Sequence, residues 1–360
     1  MVARILYILL AVLLFGVLIA VHEFGHFFTA KLLGVKVNEF AIGMGPAFWK
    51  KQKGETLYTL RALPIGGFCA MEGEDEETAD PRSFARQKAW KKLIILCAGS
   101  FMNFVAGLLT VILIYTGVAA VQVPVITSFA GGFSQELAGE GGLLPGDRVV
   151  EIDGHGVWCY DDVLTFLQRN DGESGVNLVV ERDGKRIELK DFPLYRGTFV
   201  YEGKSYTGFG LIFEQTEQLT LGGRLKLAFI QTADYVRTVW ISLADLVTGR
   251  VSVTQMTGVI GVVDVVSQVG AASATARAGI LNVLNIMALI AVNLAVMNML
   301  PIPALDGGRA FFVLLNGLLW VICRKRIPAK YEGYVHTGAF ILLLGVMALV
   351  AFHDVWNIFK

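Results

Sequence analysis

Long runs of uncharged, apolar residues constrain this chain more than any other feature. Two of them, Leu93–Val121 and Ala278–Leu305, exceed the roughly 20 residues that a helix needs to cross a bilayer. Two shorter runs, Ile5–Val21 and Thr337–Phe352, reach that length once the helix continues into their flanks. Because 54% of the residues are hydrophobic and 17% are charged, an ordinary soluble protein is disfavoured. We expect an α-helical polytopic membrane protein with four transmembrane helices.

A fifth apolar run, Ala310–Cys323, is too short for its length to decide whether it crosses. The loop between the first two spans is rich in Lys and Arg, so the positive-inside rule places that loop in the cytoplasm. If Ala310–Cys323 also crossed, the basic cluster Arg324–Arg326 would lie outside. The sequence therefore predicts a short inner-side helix over 307–323, with both termini of the chain outside the cytoplasm.

The first apolar run leads directly into His22-Glu23-Phe24-Gly25-His26, an HExxH pattern. Residues four apart lie on one face of a helix, so the two imidazoles can bind one Zn²⁺ ion while Glu23 reaches a water molecule on it. The alternative is an interfacial helix end with polar side chains near lipid headgroups. Ionisable groups beside hydrocarbon cost about 3 kcal/mol each and usually mark a functional site, which favours the metal site.

Asp306 is the predicted third metal ligand. A catalytic zinc ion usually has three protein ligands. The first and third spans run in the same direction in the predicted topology, so His22, His26 and Asp306 lie at a similar depth near the inner side. The alternative is that Asp306 only caps the helix that begins beside Gly307-Gly308. Because a two-histidine site lies at a matched depth, we favour Asp306 as a metal ligand over Asp306 as a helix cap. Glu23 is then the general base.

The remaining histidines and cysteines show no comparable pattern. His155, His336 and His353 lack metal-ligand spacing, so we expect them to be solvated or interfacial. The four cysteines lie far apart without a CxxC, which predicts free thiols. The formal net charge is zero, so the sequence offers no electrostatic argument for a nucleic-acid partner.

Two segments are candidates for substrate binding. Asn298 either orients the substrate peptide or makes an interhelical hydrogen bond. Pro301 follows it and ends the regular helix, which frees the backbone before Asp306 to bend toward the metal. Gly43 and Gly45 lie in a membrane-associated β-hairpin region predicted over 35–70, and they are either ordinary hairpin glycines or substrate contacts. A substrate helix must unwind before hydrolysis, and the Gly43/Gly45 region could pair with the opened segment as an added strand.

The chain between the second and third spans predicts a separate soluble module. Residues 122–215 outline an extracytoplasmic α+β unit of PDZ size, with one helix at Tyr160–Arg169 and a turn at Arg182–Lys185. Such a module binds peptides by strand addition or screens substrates sterically, and a purely structural insert is the alternative. Over 216–275 we expect an amphipathic surface helix, Leu221–Val247, followed by a membrane-edge loop. Residues 1–121 and 276–360 form the membrane core.

Together these patterns resemble the site-2 protease family of intramembrane zinc metalloproteases, in the bacterial branch that carries a PDZ insert. The segments that carry the resemblance are the HExxH pattern at 22–26, Gly43-Met44-Gly45, residues 64–68 and 80–84, Ala98-Gly99 with Asn103, the PDZ stretch, and Asn298 to Gly308. They extend over almost the whole chain. Two positions depart from the family pattern, since Ser100 stands where proline is usual and Val259 where a GPIG motif is common.

The resemblance implies zinc at His22, His26 and Asp306, catalysis by Glu23 and substrate handling by Asn298. It also implies single-span membrane proteins as substrates, such as anti-sigma factors already shortened by another protease, or leftover signal peptides. We expect a monomer in the bilayer of a bacterial cytoplasmic membrane, with its active site toward the cytoplasm. Two rival functions are another HExxH membrane peptidase with a glutamate as third ligand, and a PDZ-bearing scaffold with an idle metal site.

Overall fold

The computed structural model describes residues 2–74, 78–170, 174–251, 258–325 and 327–359. The chain divides into two compact units. We call residues 1–114 with 235–360 the helical unit, and residues 115–234 the insert unit. The helices are α1 (Val2–Leu32), α2 (Ala89–Thr116), α3 (Tyr160–Arg169), α4 (Leu221–Val247), α5 (Val259–Ala272), α6 (Ala276–Asn298), α7 (Asp306–Cys323) and α8 (Ala329–Phe359).

Among the described residues, five helices are long and apolar enough to cross a membrane: α1, α2, α6, α7 and α8. The sequence predicted four spans, and the additional candidate is α7. This helix is longer than its apolar run because Asp306 and the three residues after it form its first turn. The inner-side position of α7 stays a prediction. Arg326, one of the basic residues behind that prediction, lies outside the described residues.

Charged residues extend the helices beyond the uncharged runs. Helix α2 begins at Ala89 rather than Leu93, because the ammonium groups of Lys91 and Lys92 donate hydrogen bonds to nearby backbone carbonyls. Helix α8 likewise begins at Ala329, ahead of the apolar run that starts at Thr337. An uncharged run therefore underestimates the length of a helix whose basic residues find partners at its end.

Residues 259–272 form helix α5, where the sequence predicted a membrane-edge loop. Residues 252–257, which belong to that predicted loop, lie outside the described residues. Asp264 interrupts the apolar run, but its carboxylate pairs with Arg4 of α1. The first turn is held by Asp354 of α8, which accepts the backbone N–H of Gly261 at 2.9 Å. Both partners come from remote helices, so the local pattern could not reveal them.

Two buried clusters form the core of the helical unit. One joins α1 to α5 and α6, and its fully or nearly fully buried members include Ala11, Val266, Val283 and Met287. The other joins α1, the β-hairpin, α2 and α7, and it contains Ala30, Val37, Ile95, Leu96 and Ala310. The second cluster lies next to the HExxH end of α1, so the residues of that motif are supported by a well-packed hydrophobic core.

Strands β1 (Val37–Lys53) and β2 (Thr56–Met71) form an antiparallel hairpin that is folded back on itself. Residues 37–42 pair with 67–71 on one side and with 57–60 on the other, and 47–53 pair with 56–61. The bend in β1 contains Gly43 and Gly45, with φ of +88° and +81°. A Cβ at Gly43 would lie 2.5 Å from the carbonyl oxygen of Leu63, so this position has no room for a side chain. These contacts support the structural interpretation of the two glycines.

The insert unit combines a four-stranded antiparallel sheet with α3, whose bounds are those predicted. The strands are β3 (Ala120–Gln122), β4 (Ser128–Phe129), β5 (Arg148–Ile152), β6 (His155–Gly156), β7 (Val176–Arg182), β8 (Lys185–Phe192), β9 (Gly197–Tyr201), β10 (Lys204–Gly208), β11 (Leu211–Ile212) and β12 (Thr216–Gln218). The sheet order is β6–β5–β7–β8, and the described residues of the unit also form three two-stranded pairings. A two-residue turn at Asp183 and Gly184, both with positive φ, joins β7 to β8.

Candidate metal centre

Three side chains of the helical unit converge on one point. Oδ2 of Asp306 lies 3.0 Å from Nε2 of His22 and 3.2 Å from Nε2 of His26. The two Nε2 atoms are 3.2 Å apart. The side chains are only 12%, 8% and 21% exposed for His22, His26 and Asp306. The structure therefore brings together the three residues that the sequence predicted as metal ligands.

The spacing of these atoms fits a zinc ion. With ligand bonds of 2.0–2.1 Å and tetrahedral angles, neighbouring ligand atoms lie about 3.3–3.4 Å apart. The observed triangle is only slightly tighter. Two imidazoles and a carboxylate are also the donor set that zinc accepts in catalytic sites. The residues present thus fit the metal that the sequence pattern indicated.

The alternative role of Asp306 as a helix cap is not observed. The N-cap position of α7 is Leu305, and Asp306 is the first residue of the helix itself. Its carboxylate points to the imidazoles rather than to free N–H groups of the first turn. Gly307 and Gly308 allow this, because a Cβ at either position would lie within 2.4 Å of the backbone that precedes α7. The two glycines thus let α7 pack tightly against the loop that follows α6.

Helix α2 approaches the HExxH turn closely because glycines face each other there. A Cβ at Gly25 would lie 2.4 Å from the carbonyl oxygen of Ala98. A Cβ at Gly99 would lie 2.3 Å from Nε2 of His26 and 2.7 Å from Cε1 of His22. The side of the site that faces α2 is therefore backbone, and both imidazoles occupy space that any larger residue at 99 would take.

The remote nitrogens of both imidazoles also have partners on α2. Nδ1 of His26 lies 2.8 Å from the carbonyl oxygen of Ile95. Nδ1 of His22 lies 3.3 Å from the side-chain amide of Asn103, which is 1% exposed. Sequence reasoning gave Asn103 no role, although the residue belonged to the family resemblance. Its signal was its position four residues after Gly99, on the same face of α2.

A cavity of about 330 Å³ opens next to the three ligands. Glu23, the predicted general base, lines it together with the ligands. One wall is the end of β2, and a Cβ at Gly67 in that segment would lie 3.4 Å from Cγ of Glu23. The lining residues are His22, Glu23, His26, Phe68, Cys69, Ala70, Met71, Glu74, Leu96, Ala304, Asp306 and Arg309. The cavity thus has the size and the acid–base group that a hydrolytic site needs.

An ion pair that the sequence did not indicate lies in the same cavity. Arg309, in the first turn of α7, pairs with Glu74, which follows β2. Glu74 also accepts a long hydrogen bond from the backbone N–H of Met71, at 3.4 Å. The pair therefore links the helix that carries Asp306 to the strand that walls the cavity.

The remaining histidines were expected to be solvated or interfacial, and His336 is not solvated. Its side chain is 16% exposed, and its Nδ1 accepts the backbone N–H of Ala304 at 2.9 Å. Ala304 has a φ of +77°, an unusual conformation for a residue with a side chain. The hydrogen bond from α8 therefore holds the loop directly before Asp306 in a strained conformation.

The other predicted site residues do not line the cavity. Asn298 is the last residue of α6 and is half-buried, while Pro301 is exposed in the loop that follows. Gly43 and Gly45 lie in the bend of the hairpin, and the segment of β2 that borders the cavity is Phe68–Met71 instead. Their proposed substrate contacts stay predictions.

A second group of metal-type side chains lies within the insert unit: Cys159, Asp162 and Asp234. The carboxylate of Asp162 accepts the backbone N–H groups of Trp158 and Cys159, at 2.6 and 3.1 Å. Burial raises the pKa of the Cys159 thiol to about 12, so it is protonated at neutral pH. The arrangement matches the capped start of α3 rather than a thiolate metal site.

A buried His–His–Asp centre with an adjacent glutamate, set among five membrane-length apolar helices, defines a polytopic membrane protein of the metallopeptidase class. The comparison with protein families agrees, since the chain matches peptidase family M50 over residues 10–346. The chain belongs to this family, which is the site-2 protease family. The family inferred from the sequence is confirmed, and the PDZ insert stays a prediction.

Three bacterial relatives cover almost the full length of the chain. A Clostridium perfringens protein named as a candidate zinc metalloprotease is 37% identical over 350 residues, which is 97% of this chain and 98% of that protein. A Clostridium acetobutylicum protein with the same description is 35% identical and covers 97% of both chains. A Fusobacterium nucleatum protein, again so described, is 30% identical over 98% of this chain and 99% of its own.

Proposed function

We propose that this protein is an intramembrane zinc endopeptidase that hydrolyses peptide bonds within the membrane-spanning segments of single-span membrane proteins. The observation that carries the proposal is the convergence of His22, His26 and Asp306, from opposite ends of the chain, beside Glu23. The names of the relatives support zinc as the metal. The apolar helices support a membrane setting.

The chemistry follows from the residues that line the cavity. Zn²⁺, when bound by the two histidines and Asp306, polarises the scissile carbonyl and makes water a nucleophile near neutral pH. Glu23 takes a proton from the attacking water as general base and returns it to the departing amine as general acid. Gly67 lets β2 pack closely beside Glu23, because a Cβ there would lie 2.9 Å from the carbonyl oxygen of Ala41 and 3.4 Å from Cγ of Glu23.

An edge strand offers a way to hold an unwound substrate. Among the described residues, Gly67–Met71 pairs with β1 along one side only, and Phe68–Met71 line the cavity. An extended peptide that adds to this edge would recover the backbone hydrogen bonds lost on unwinding. This segment, rather than the Gly43/Gly45 bend, is therefore the proposed site of strand addition. Asn298 and Pro301 would contact the substrate outside the cavity.

We further propose that the insert unit is an extracytoplasmic PDZ-type domain that binds or screens substrates. A groove of about 150 Å³ between α3 and residues 206–213 supports peptide binding by this unit. The proposed substrates are anti-sigma factors already shortened by another protease, or leftover signal peptides. The proposed location is a bacterial cytoplasmic membrane, with the active site toward the cytoplasm and the protein acting as a monomer.

The test uses the full-length protein in liposomes with a single-span reporter. We expect the wild type to hold about one zinc ion per chain and to cleave the reporter. Glu23→Gln should keep the zinc and lose cleavage by at least about 100-fold. Asp306→Ala should lose both. Cleavage by Asp306→Ala with full zinc content would instead favour a peptidase with a glutamate as third ligand. A wild type that binds zinc without cleaving would favour the scaffold.

A further inference from the structure

The Nε2 atoms of His22 and His26 can both bind a metal only if neither carries a proton. A neutral imidazole has one N–H, so a ring that binds metal through Nε2 carries its proton on Nδ1. That N–H needs a hydrogen-bond acceptor when it is buried, and the acceptor then fixes the tautomer and the orientation of the ring. Each histidine of the centre therefore needs an acceptor on the side away from the metal.

His26 obtains its acceptor from the backbone. Its Nδ1 lies 2.8 Å from the carbonyl oxygen of Ile95, which can only accept. The proton of this ring is therefore on Nδ1, and Nε2 is free to bind metal. No side-chain substitution can remove this acceptor.

His22 has a side chain in the corresponding place. Nδ1 of His22 lies 3.3 Å from the amide group of Asn103, and that residue is 1% exposed. If the amide nitrogen donated to Nδ1, the ring proton would be on Nε2, among the three atoms that converge on the metal position. Within the described part of the chain, the amide oxygen Oδ1 is buried without a hydrogen-bond partner. A rotation of the amide by 180° places this oxygen at Nδ1 and gives it a donor.

The face of α2 repeats this arrangement at intervals of four residues. Ile95 supplies an acceptor to His26, Gly99 makes space for both rings, and Asn103 lies at His22. The two histidines are themselves four residues apart on α1, which crosses α2 in the opposite direction. Ile95 and Asn103 are therefore about two turns apart on α2, with Gly99 midway between them, whereas about one turn of α1 separates the two histidines.

We propose that Asn103 is a positioning residue of the metal centre: its Oδ1 accepts the Nδ1–H of His22 and keeps Nε2 of that ring available to the metal. The inference rests on the proposed zinc site. Besides the three ligands, the centre then also requires a hydrogen-bond acceptor at position 103. A side chain of similar size without an acceptor oxygen would leave the ring free to adopt the wrong tautomer.

The test measures zinc affinity in the full-length protein by competition with a chelator, without reference to activity. We expect Asn103→Leu to weaken zinc binding by about 10–100-fold, the range found when such supporting partners are removed. Asn103→Asp, which retains an acceptor oxygen, should stay within about threefold of the wild type. The matched control is Asn293→Leu, which replaces an exposed asparagine on α6 and should leave zinc affinity unchanged.

The outcomes separate this inference from the zinc site itself. A wild type that binds no zinc would end the proposed function, whatever Asn103 does. Normal zinc affinity in Asn103→Leu would overturn the role of Asn103 while leaving the metal centre intact. Equal losses of affinity in the Leu and Asp variants, together with equal losses of thermal stability in their metal-free forms, would assign Asn103 a packing role and also overturn the inference.

Discussion

Gly99 of α2 lies directly against the imidazole of His26, so closely that a Cβ at position 99 would be 2.3 Å from Nε2. That distance is shorter than any contact a real Cβ makes. The same Cβ would lie 2.8 Å from Nε2 of His22. Since Gly25 meets the backbone of Ala98 in the same region, neither helix can easily move aside. The packing of the candidate metal centre therefore requires a glycine at position 99, although this residue is not itself a candidate ligand.

Gly99→Ala should abolish zinc binding, because its methyl group would occupy the space of the ligand nitrogens. Alanine otherwise favours a helix over glycine by about 1 kcal/mol, so a loss cannot come from helix propensity. Gly317→Ala in α7 is the matched control, since a Cβ there meets nothing within 4 Å. Zinc content per chain is the measurement, and normal zinc in Gly99→Ala would contradict the packing described here.

The hydrogen bond from Ala304 to His336 predicts a remote effect on the metal. His336→Leu should leave the N–H of Ala304 without its acceptor and loosen the loop before Asp306. Because ligands must be held in place, we expect zinc affinity to fall by about tenfold. His353→Leu, on the same helix, is the control and should have little effect. Chelator competition measures both, and equal affinities in the two variants would refute the link.

The Glu74–Arg309 pair predicts energetic coupling between α7 and the end of β2. Glu74→Ala and Arg309→Ala should each lower the thermal stability of the full-length protein, and the double variant should lose less than the sum. Residues in direct contact commonly show coupling of about 0.5–3 kcal/mol. A double-mutant cycle on thermal unfolding measures this coupling. Strict additivity would mean that the pair contributes nothing beyond its separate side chains.

A buried ion pair within the insert unit predicts a local loss of stability. Asp147 is fully buried, and its carboxylate binds Arg182 at 2.7 Å and thereby raises the pKa of that guanidinium. Asp147→Asn removes the charge partner, so the unit should lose about 3–5 kcal/mol. Hydrogen exchange of β5 and β7 amides in the full-length protein would detect it.

The control for that experiment is an exposed pair in the same sheet. Glu188 and Lys190 lie 3.5 Å apart with side chains 65% and 80% exposed, so Glu188→Gln should change stability by less than about 1 kcal/mol. If Asp147→Asn and Glu188→Gln changed hydrogen exchange to a similar extent, burial would not determine how much an ion pair contributes to the stability of this unit.

Much of the fold follows from local patterns. The apolar runs predicted four of the five membrane-length helices, and the hydrophobic pattern gave the bounds of α3 and α4. The failures arose where a segment takes its partners from elsewhere. Residues 259–272 were predicted as a loop because Asp264 interrupts their apolar run. In the fold, Arg4 of α1 pairs with Asp264, and Asp354 of α8 accepts a backbone N–H of the first turn. A pattern within one segment carries no information about such partners.

The candidate site divides in the same way. The sequence by itself determined which side chains are the candidate metal ligands, because HExxH places two imidazoles and a glutamate on one helix turn, and because predicted depth singled out Asp306. Only the tertiary structure decided what surrounds them: the Gly67–Met71 edge, the Glu74–Arg309 pair, Asn103 behind His22, and His336 behind Ala304. Spacing along one helix is set by 3.6 residues per turn. Contacts between remote segments depend instead on how whole helices pack, which no local spacing encodes.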